Sequence, residues 1–396
     1  MCRVRARGAD GVTRRLGMGL VGPGFVGAHH IDAVRRLGFV DVVAVAASSE
    51  VSAEARARAL GVSKAYGSFE ALAADRAVDV VHVTTPNALH GAVIDAALAQ
   101  GKHVVCDKPL ATTAGEARRL RDAARAAGVV HAVTFNYRGN PMVQQARAMI
   151  AAGDLGPLHL IHGAYLQDWL LEDTDYSWRL DPAQGQSSAM ADIGSHWGDL
   201  AQHVSGQRIE AVLAQLSTVV PTRVRPAGAV QAFAAAADGG TRVPITSEDL
   251  ATVLLRFSGG AIGAVTVGQV CAGHKNDLRL EVCGRGGSLR WVQESQNELW
   301  IGARRRGNTM LAKDPSLIGP DAARYARLPG GHQEGWSDAF FNVIRDIYAI
   351  IADPGAIESR QPTTVATFDD GYAAACLVDA VLGSHKAGGV WTQVDK

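Results

Sequence analysis

The stretch ADIGSHWGDL contains side chains well suited to proton transfer. Asp192, His196 and Asp199 follow one another at spacings of four and three, and His203 comes four residues later. Residues at these spacings share one face of an α-helix. A neutral imidazole with an ordinary pKa of ~6.5 can accept the proton of a substrate hydroxyl, and a carboxylate can orient that hydroxyl. The stretch is open to three interpretations: a proton-transfer site, a metal site, or the polar face of an ordinary helix.

The spacing of the four residues along the helix and the positions of the cysteines disfavour the metal interpretation. Four ligands in a row along one helix extend over about 16 Å at ~1.5 Å per residue, which is too long for one ion without ligands from elsewhere. The five cysteines are odd in number and far apart, and no C-x-x-C occurs, so neither a zinc site nor a disulfide framework is indicated. We therefore predict no metal, and we expect Asp199 and His203 to be ordinary polar residues of the helix face.

A glycine-rich loop, GLVGPGFVG, places Gly22, Gly24 and Gly27 between an apolar run and a helical segment. In a dinucleotide-binding turn the first glycine permits the tight turn and the second lets the backbone approach a pyrophosphate. The third lets the helix pack closely on the strand. The N-terminus of the helix also attracts phosphate charge. The loop predicts binding of NAD or NADP, with a purely structural turn as the alternative.

The end of the second predicted strand leaves the choice between NAD and NADP open. NAD-binding domains usually carry Asp or Glu here to bind the ribose hydroxyls, whereas this chain has Ala47, Ser48 and Ser49. Two hydroxyls without a carboxylate do not repel the 2′-phosphate of NADP, yet no arginine sits immediately beside them to bind it. The preference is therefore not assigned.

Lysine is scarce in this chain, with seven residues against 32 arginines, so a lysine in a structured place is informative. Lys108, in CDKPL, directly follows the apolar run KHVVC, and Pro109 restricts the backbone beyond it. The carboxyl ends of parallel strands line the ligand crevice of a doubly wound sheet. Lys108 is therefore a candidate for contact with a ligand, with a solvated lysine at a strand end as the alternative.

Two kinds of patterning divide the chain. Over residues 16–137, short β-branched runs alternate with Ala/Arg-rich helical segments, and the runs are apolar on both faces, as parallel strands covered by helices require. This predicts a doubly wound α/β domain of the Rossmann type. Residues 138–396 are expected to form a second domain, and residues 1–15 a disordered lead-in.

Longer strands with alternating polarity predict an antiparallel sheet in the second domain, with turns at Gly259-Gly260 and Gly286-Gly287. Two helices are expected near the end of the chain, at about residues 335–352 and 367–386. The whole chain is therefore predicted to be α/β, with a parallel sheet first and a mainly antiparallel sheet second.

Four motifs, in this order, carry a resemblance to a known family: GLVGPGFVGAHH, TTPNALH (84–90), DKP (107–109) and DIGSH (192–196). From Leu16 onward the chain resembles the glucose–fructose oxidoreductase / inositol dehydrogenase (Gfo/Idh/MocA) family. The resemblance implies a Rossmann domain followed by an α/β domain whose open sheet is often used for dimer or tetramer contacts. The chain departs from the family at Asp107, where glutamate is usual, and at Ala47, where NAD-using relatives commonly keep an acid.

The resemblance also implies the residues of the site. It places Lys108, Asp192 and His196 around the substrate carbon that faces the nicotinamide, with His196 as the preferred base and Lys108 as its rival. Asp192 would orient the substrate hydroxyls or share the proton. As a cation beside the reacting oxygen, Lys108 would stabilise developing alkoxide charge. The residues implied for cofactor binding are Gly22, Gly24, Phe25, Val26, Ser48, Ser49, Thr85, Pro86, Asn87, His90, Asp107 and Lys108.

The segment YLQDWLLEDTDYSWRL (165–180) interrupts the strand pattern with polar and aromatic residues. Aromatic rings pack on the C–H faces of sugars, while Asp and Gln hydrogen-bond sugar hydroxyls. Within the family, the segment resembles the branch that contains levoglucosan dehydrogenase and other enzymes that oxidise a pyranose hydroxyl. Packing without contact to a ligand is the alternative for its members and for the other candidates. The predicted substrate-binding residues are Asn136, Tyr137, Arg138, Gln167, Asp168, Trp169, Trp178, Arg179, Asp192, His196 and His274.

The expected activity is hydride transfer between NAD(P) and a secondary hydroxyl or ketone of a sugar, anhydrosugar or cyclitol. Two alternatives stay open: a glycosidase that uses NAD transiently, and a non-catalytic sensor that binds NAD(P) and regulates a partner. The 39 basic and 39 acidic residues cancel, which argues against a nucleic-acid binder. No apolar run approaches the ~20 residues that span a bilayer. We expect a cytoplasmic homodimer or homotetramer.

Overall fold

The computed structural model describes residues 6–7, 13–228, 239–353 and 364–395 of the chain. They divide into two compact units: unit 1 is Met1–Asn136 with Phe340–Tyr372, and unit 2 is Tyr137–Ala339 with Ala373–Lys396. The predicted lead-in, residues 1–15, lies largely outside the described residues. Within it, strands β1 (Ala6–Arg7) and β2 (Thr13–Arg14) pair with each other in antiparallel fashion.

Unit 1 contains a six-stranded parallel sheet, as its doubly apolar runs predicted. The strand order is β5-β4-β3-β6-β7-β8, and the direction of winding reverses between β3 and β6. This is the order of a Rossmann fold, in which ligands bind beyond the carboxyl ends of the strands at the point of reversal. The strands are β3 (Leu16–Val21), β4 (Val40–Ala46), β5 (Lys64–Tyr66), β6 (Val80–Val83), β7 (His103–Cys106) and β8 (His131–Val133).

Five helices of unit 1 connect these strands and cover the sheet. Three of them begin at a hydroxyl residue, Ser49, Ser68 or Thr113, whose side chain accepts a hydrogen bond from a backbone N–H of the first turn. Such caps satisfy donors that a helix leaves open at its start. The helices are α1 (Phe25–Leu37), α2 (Glu50–Leu60), α3 (Phe69–Ala74), α4 (His90–Ala99) and α5 (Ala114–Ala127).

Unit 2 is built on a nine-stranded mixed sheet in the order β18-β17-β16-β15-β9-β14-β13-β10-β19. All neighbours are antiparallel except β9 and β14, so the predicted mainly antiparallel sheet is confirmed. A separate hairpin joins β11 and β12. The strands are β9 (Leu158–Leu166), β10 (Ile209–Ser217), β11 (Thr222–Arg225), β12 (Thr241–Pro244), β13 (Leu250–Phe257), β14 (Ile262–Gly268), β15 (Asp277–Gly284), β16 (Ser288–Val292), β17 (Glu298–Gly302), β18 (Thr309–Ala312) and β19 (Thr392–Gln393).

Helices α6 (Pro141–Ala151) and α7 (Ser195–Ser205) pack on strands of this sheet, and α8 (Pro320–Ala323) packs on α6. Both glycine turns fall where the sequence predicted them, with Gly260 between β13 and β14 at φ +87°. The two predicted C-terminal helices are α9 (Trp336–Ala352) and α10 (Phe368–Lys386). None of the described helices is long and apolar enough to cross a bilayer.

The observed domain limits differ from the predicted ones, because a late segment of the chain belongs to unit 1. The sequence-based division assigned everything after residue 137 to the second domain, whereas the structure groups Phe340–Tyr372 with unit 1. The physical reason is the buried side of α9: the Phe340 ring packs edge-on against His30, and the Tyr348 hydroxyl lies 3.0 Å from His82 Nε2. A periodic pattern shows that a helix has an apolar side but not which sheet covers it.

Candidate active site

The glycine loop between β3 and α1 has a shape that side chains would obstruct. Gly22 has φ +90°, and a Cβ there would lie 2.7 Å from the backbone of Thr84 and Thr85. The hydroxyl of Thr84 donates to the carbonyl of Gly22 at 2.7 Å and holds the loop from the neighbouring strand end. A Cβ on Gly27 would lie 2.9 Å from the Gly22 carbonyl oxygen. Two of the three predicted glycines are therefore needed for close backbone packing.

Gly24 plays a different part, because a Cβ added to it would meet nothing within 4 Å. It precedes the first turn of α1, which has neither a side-chain cap nor an acidic residue, so its N–H groups suit an anion. The hydroxyl oxygen of Thr85 is buried without a hydrogen-bond partner among the described residues. This open cradle with spare donors fits the pyrophosphate of a dinucleotide.

Of the two serines predicted to contact the cofactor at the end of β4, Ser49 caps a helix. Ser49 begins α2, and its Oγ accepts a hydrogen bond from Ser52 N at 3.2 Å. Ser48 is exposed, and the amide of Ala47 donates to the carbonyl of Tyr66. Residues 47–49 include no carboxylate, and the preference between NAD and NADP stays unassigned.

The loops after β6 and β7 are tied together by His90. Its Nδ1 lies 2.8 Å from the Pro109 carbonyl oxygen and its Nε2 lies 3.0 Å from the Thr85 carbonyl oxygen. Burial lowers the pKa of this imidazole. His90, predicted to contact the cofactor, therefore positions two loops through their backbones. Pro86 is exposed, and Asn87 begins a short 3₁₀ turn.

Lys108 lies in the second of these loops and is partly exposed, with a cis peptide bond to Pro109. Asp107, at which the sequence resemblance leads us to expect glutamate, accepts a hydrogen bond from Thr134 Oγ1 at 2.9 Å. The shorter carboxylate is thus fixed to the end of β8. Asn136, the last residue of this part of unit 1, is buried.

A buried histidine pair beneath the loop was not predicted. His30 on α1 and His82 on β6 have no exposed surface, and their Nδ1 atoms lie 2.8 Å apart. Burial lowers the pKa of His30 to about 4 and holds that of His82 well below its ordinary value. Both rings are therefore neutral at neutral pH. The doublet His29-His30 in the helix motif was the available signal, but its partner on another strand was not visible in the sequence.

In unit 2, Asp192 and His196 do not belong to one regular helix. Met190–Gly194 forms a π-helical turn, and α7 begins after it at Ser195. Such wide turns occur mostly as single turns within α-helices, and they are frequent at functional sites. The start of this turn is held by a buried acid that was not predicted. Glu248 accepts hydrogen bonds from the backbone amides of Ser188 and Met190. Burial raises the pKa of Glu248.

The carboxylate of Asp192 is held from two directions. Arg179 Nε lies 3.2 Å from Oδ1, and Gln269 Nε2 donates to Oδ2 at 2.9 Å. The guanidinium of Arg179 also stacks over the Trp178 ring, with 4.4 Å between Cζ and the ring centroid. The structure therefore joins Trp178, Arg179 and Asp192, three predicted substrate-binding residues, into one cluster. Gln269 was missed because it lies on a strand end with no motif of its own.

His196 is mostly buried and packs against two tyrosines. Its ring centroid lies 5.1 Å from that of Tyr137 and 6.4 Å from that of Tyr165. The two tyrosine hydroxyls lie 2.7 Å apart. Burial raises the pKa of both tyrosines, and the negative charge of Asp192 acts in the same direction. Neutral phenols and an aspartate thus surround the predicted base.

Asn276 links these tyrosines to the predicted sugar-binding segment. Its Oδ1 accepts hydrogen bonds from Tyr165 at 2.6 Å and from Gln167 Nε2 at 3.0 Å. Trp169 Nε1 in turn donates to Gln167 Oε1 at 2.8 Å. A continuous network therefore runs from the surroundings of His196 to Trp169. Asn276 was missed although it lies two residues from the predicted His274.

Other predicted residues have protein partners that account for their positions. Asp168 accepts from Lys275 Nζ at 2.7 Å, which lowers the pKa of the carboxyl. His274 Nδ1 lies 2.6 Å from Asp277 Oδ2. These contacts fix the loop between β14 and β15. Their assignment as sugar ligands stays a prediction.

Arg138 and Asp199 form a buried bidentate ion pair, which the sequence analysis did not foresee. Gln144 Nε2 lies 3.0 Å from His203 Nε2, and burial, together with the charge of Arg138, holds the pKa of this histidine well below its ordinary value. The expectation that Asp199 and His203 are ordinary polar residues of a helix face is therefore wrong. Periodicity placed them correctly on one side of the helix, but other side chains cover that side.

Comparison with known proteins agrees with both halves of this description. Residues 16–135 match the family model described as "Oxidoreductase family, NAD-binding Rossmann fold", and residues 143–290 match the "GFO/IDH/MocA C-terminal domain". Levoglucosan dehydrogenase of Pseudarthrobacter phenanthrenivorans is 31% identical over 387 residues, which cover 94% of this chain and 96% of that protein. This chain belongs to the Gfo/Idh/MocA family.

Solved structures of the family share the fold along almost the whole chain. An oxidoreductase domain protein from Kribbella flavida is 31% identical with a TM-score of 0.86, and the match covers 97% of this chain and 100% of that one. Levoglucosan dehydrogenase in complex with NADH and L-sorbose is 28% identical with a TM-score of 0.85 and the same coverage. The predicted fold, family and NAD-binding oxidoreductase class are thereby confirmed, whereas the individual roles of the site residues stay predictions.

Proposed function

We propose that this member of the Gfo/Idh/MocA family is an NAD(P)-dependent dehydrogenase or reductase acting on a secondary hydroxyl or ketone of a pyranose, an anhydrosugar or a cyclitol. The observation that carries the proposal is the side-chain network of unit 2 around His196 and Asp192. Its amides, phenols and indoles offer the hydrogen bonds and flat apolar surfaces that a polyhydroxylated ring requires. The levoglucosan dehydrogenase relatives support the same substrate class.

His196 is assigned as the base that accepts the hydroxyl proton. Its ring packs against Tyr137 and Tyr165, and Asp192 precedes it by four residues. A carboxylate near an imidazole favours the protonated form that proton transfer produces. Asp192, fixed by Arg179 and Gln269, is assigned to orient the hydroxyl. Lys108 is assigned to the negative charge that develops on the reacting oxygen. When NAD(P) is bound, its nicotinamide supplies the hydride acceptor.

Trp169 and Trp178 are assigned to the apolar face of the ring. Trp169 is held through its indole N–H by Gln167, and Trp178 lies under the guanidinium of Arg179. Both rings are thus fixed by polar neighbours, which lowers the entropy cost of ligand binding. Cytoplasmic location and homodimer or homotetramer assembly stay predictions from cysteine usage and from the family resemblance.

A substrate panel tests the proposal. Levoglucosan, monosaccharides, inositols and alkyl glycosides are each incubated with NAD⁺ and with NADP⁺, and both reduced cofactor and sugar product are measured. We expect reduced cofactor to accumulate with at least one of the first three classes. Glycoside hydrolysis without net reduction would instead indicate a transiently used cofactor. Cofactor binding with no turnover across the panel, in both reaction directions, would favour the regulatory sensor.

A further inference from the structure

Three potential metal ligands lie together on two neighbouring strands of unit 2. His162 is on β9, and Glu281 and Cys283 are on β15. One ligand atom of each residue lies within 4.8 Å of those of the other two, and all three side chains are partly buried. None of them belongs to the motifs or to the network around His196. The function proposed above therefore leaves this group unused.

The register of the sheet explains why the three side chains meet. His162 and Glu281 are direct cross-strand partners, and Cys283 lies two residues beyond Glu281 on the same face. The next strand brings Arg290 opposite Glu281, and its guanidinium stacks over the Trp300 ring with 5.0 Å between Cζ and the ring centroid. The group is thus built on paired backbone in the middle of a sheet, where the Cα positions are rigid.

The donor set matches a first-row transition metal in chemistry and charge. Imidazole nitrogen, thiolate sulfur and carboxylate oxygen are the three ligand types that Zn²⁺ uses, at about 2.0–2.3 Å. Ligand atoms around a tetrahedral zinc lie about 3.5 Å apart. Side-chain rotations that move these atoms by about 1 Å would therefore bring the three ligands to the distances that zinc requires. One thiolate and one carboxylate would cancel the two charges of the ion, which suits a partly buried place.

We propose that His162, Glu281 and Cys283 form a Zn²⁺ site that links β9 to β15, with water as the fourth ligand. The site is separate from the residues assigned to hydride transfer and needs no role in that reaction. Zn²⁺ would connect the side chains of two strands whose backbones are already hydrogen-bonded. It would also protect the Cys283 thiol from alkylation. Sequence spacing did not reveal the site because the histidine lies more than a hundred residues before the other two ligands.

Metal binding by the full-length protein tests this proposal. The chelator-treated chain is titrated with Zn²⁺ against a chromophoric competitor, and with Co²⁺ to detect thiolate-to-cobalt charge transfer. We expect one tight equivalent whose affinity falls at least about tenfold in His162→Gln and in Cys283→Ser. His159→Gln, at an exposed position three residues earlier on the same strand, and Cys271→Ser, at a partly buried thiol outside the group, are the matched controls.

A second measurement uses the unmodified chain and does not depend on the folding of variants. Zn²⁺ should slow alkylation of Cys283 relative to Cys271, as followed by peptide mass spectrometry. The proposal is overturned if the two thiols are protected equally. It is also overturned if stoichiometry and affinity are unchanged in both ligand variants, or if bound Co²⁺ shows no thiolate band.

Discussion

The candidate site of unit 1 is formed mainly by backbone, whereas that of unit 2 is formed mainly by side chains. In unit 1 the glycine loop is formed by backbone, and the imidazoles beneath it are buried and neutral. In unit 2, side chains from several separate segments of the chain hold Asp192 and surround His196. A backbone site depends on a few glycines close together in sequence, whereas a side-chain site depends on residues that only folding brings together. Four predictions test this difference, beginning with the largest expected effect.

The strongest test concerns His196 itself. His196→Ala should lower kcat by about 10³-fold, because a general base contributes 10²–10⁴-fold, while the Kd for NAD(P)H changes less than about threefold. Stopped-flow turnover and fluorescence titration of the cofactor provide the two values. His332→Ala, at an exposed histidine in the same unit, should match the wild type. Equal losses of turnover and cofactor affinity would contradict the assignment of His196 as base.

The buried histidines of unit 1 should make stability fall in mild acid. The pKa of folded His30 is about 4, below the ~6.5 of an unfolded chain, so the unfolded state binds more protons between these values. The contribution of neutral His30 to the free energy of unfolding is fully present above about pH 6.5 and is lost as the pH falls towards 4. The loss at about pH 5 should be ~2 kcal/mol.

Thermal unfolding of the wild type and of His30→Leu at about pH 7.5 and pH 5 measures this effect. The variant should be less stable at the higher pH but should lose less on acidification, because it no longer carries the buried imidazole. His332→Leu serves as the exposed control. If the wild type and His30→Leu lose the same stability between the two pH values, the buried pair is not the source of the acid sensitivity.

Gly24, the open position of the glycine loop, and Gly22, the crowded one, should separate cofactor binding from stability. Gly24→Ala should weaken NAD(P)H binding at least about tenfold and leave the free energy of unfolding within about 0.5 kcal/mol, since its Cβ meets no protein atom. Gly22→Ala should lose both, because its φ is positive and its Cβ meets the Thr84 backbone. Isothermal titration and denaturant unfolding test each variant.

Gly115→Ala provides the control for these glycine changes, because its Cβ also meets nothing and it lies in α5, away from the loop. It should leave cofactor affinity unchanged and should raise the free energy of unfolding by about 0.4–1 kcal/mol, since alanine favours the helix more than glycine does. If Gly24→Ala behaves in the same way as Gly115→Ala, the cradle at the start of α1 does not contact the cofactor.

The smallest effect concerns cofactor choice at the end of β4. Ala47→Asp adds a carboxylate where it would repel a 2′-phosphate and accept hydrogen bonds from a ribose diol, so the NAD/NADP affinity ratio should rise a few-fold to tenfold. Ala47→Asn supplies a side chain of similar size without the charge and should shift the ratio less. An unchanged ratio in Ala47→Asp would show that residue 47 does not face the ribose.

Much of this architecture was predictable because it is local in sequence. The helices Trp336–Ala352 and Phe368–Lys386 lie within one residue of their predicted bounds. The π-helical turn at Met190–Gly194 was not predictable, because its start is held by Glu248, a distant residue on another loop. The helix that carries Phe340 and Tyr348 was predicted as a helix but assigned to the wrong unit.

The doubly wound Rossmann domain, the glycine loop and the motifs of the Gfo/Idh/MocA family could be recognised from the amino-acid sequence alone. Hydrophobic period and glycine spacing depend only on neighbouring residues, so they can be recognised without coordinates. The folded structure was needed to show that Arg138 pairs with Asp199, that Arg179 holds Asp192, and that Asn276 joins Tyr165 to Gln167. Such contacts join residues far apart in sequence, and no local pattern distinguishes them from the many pairings that folding does not make.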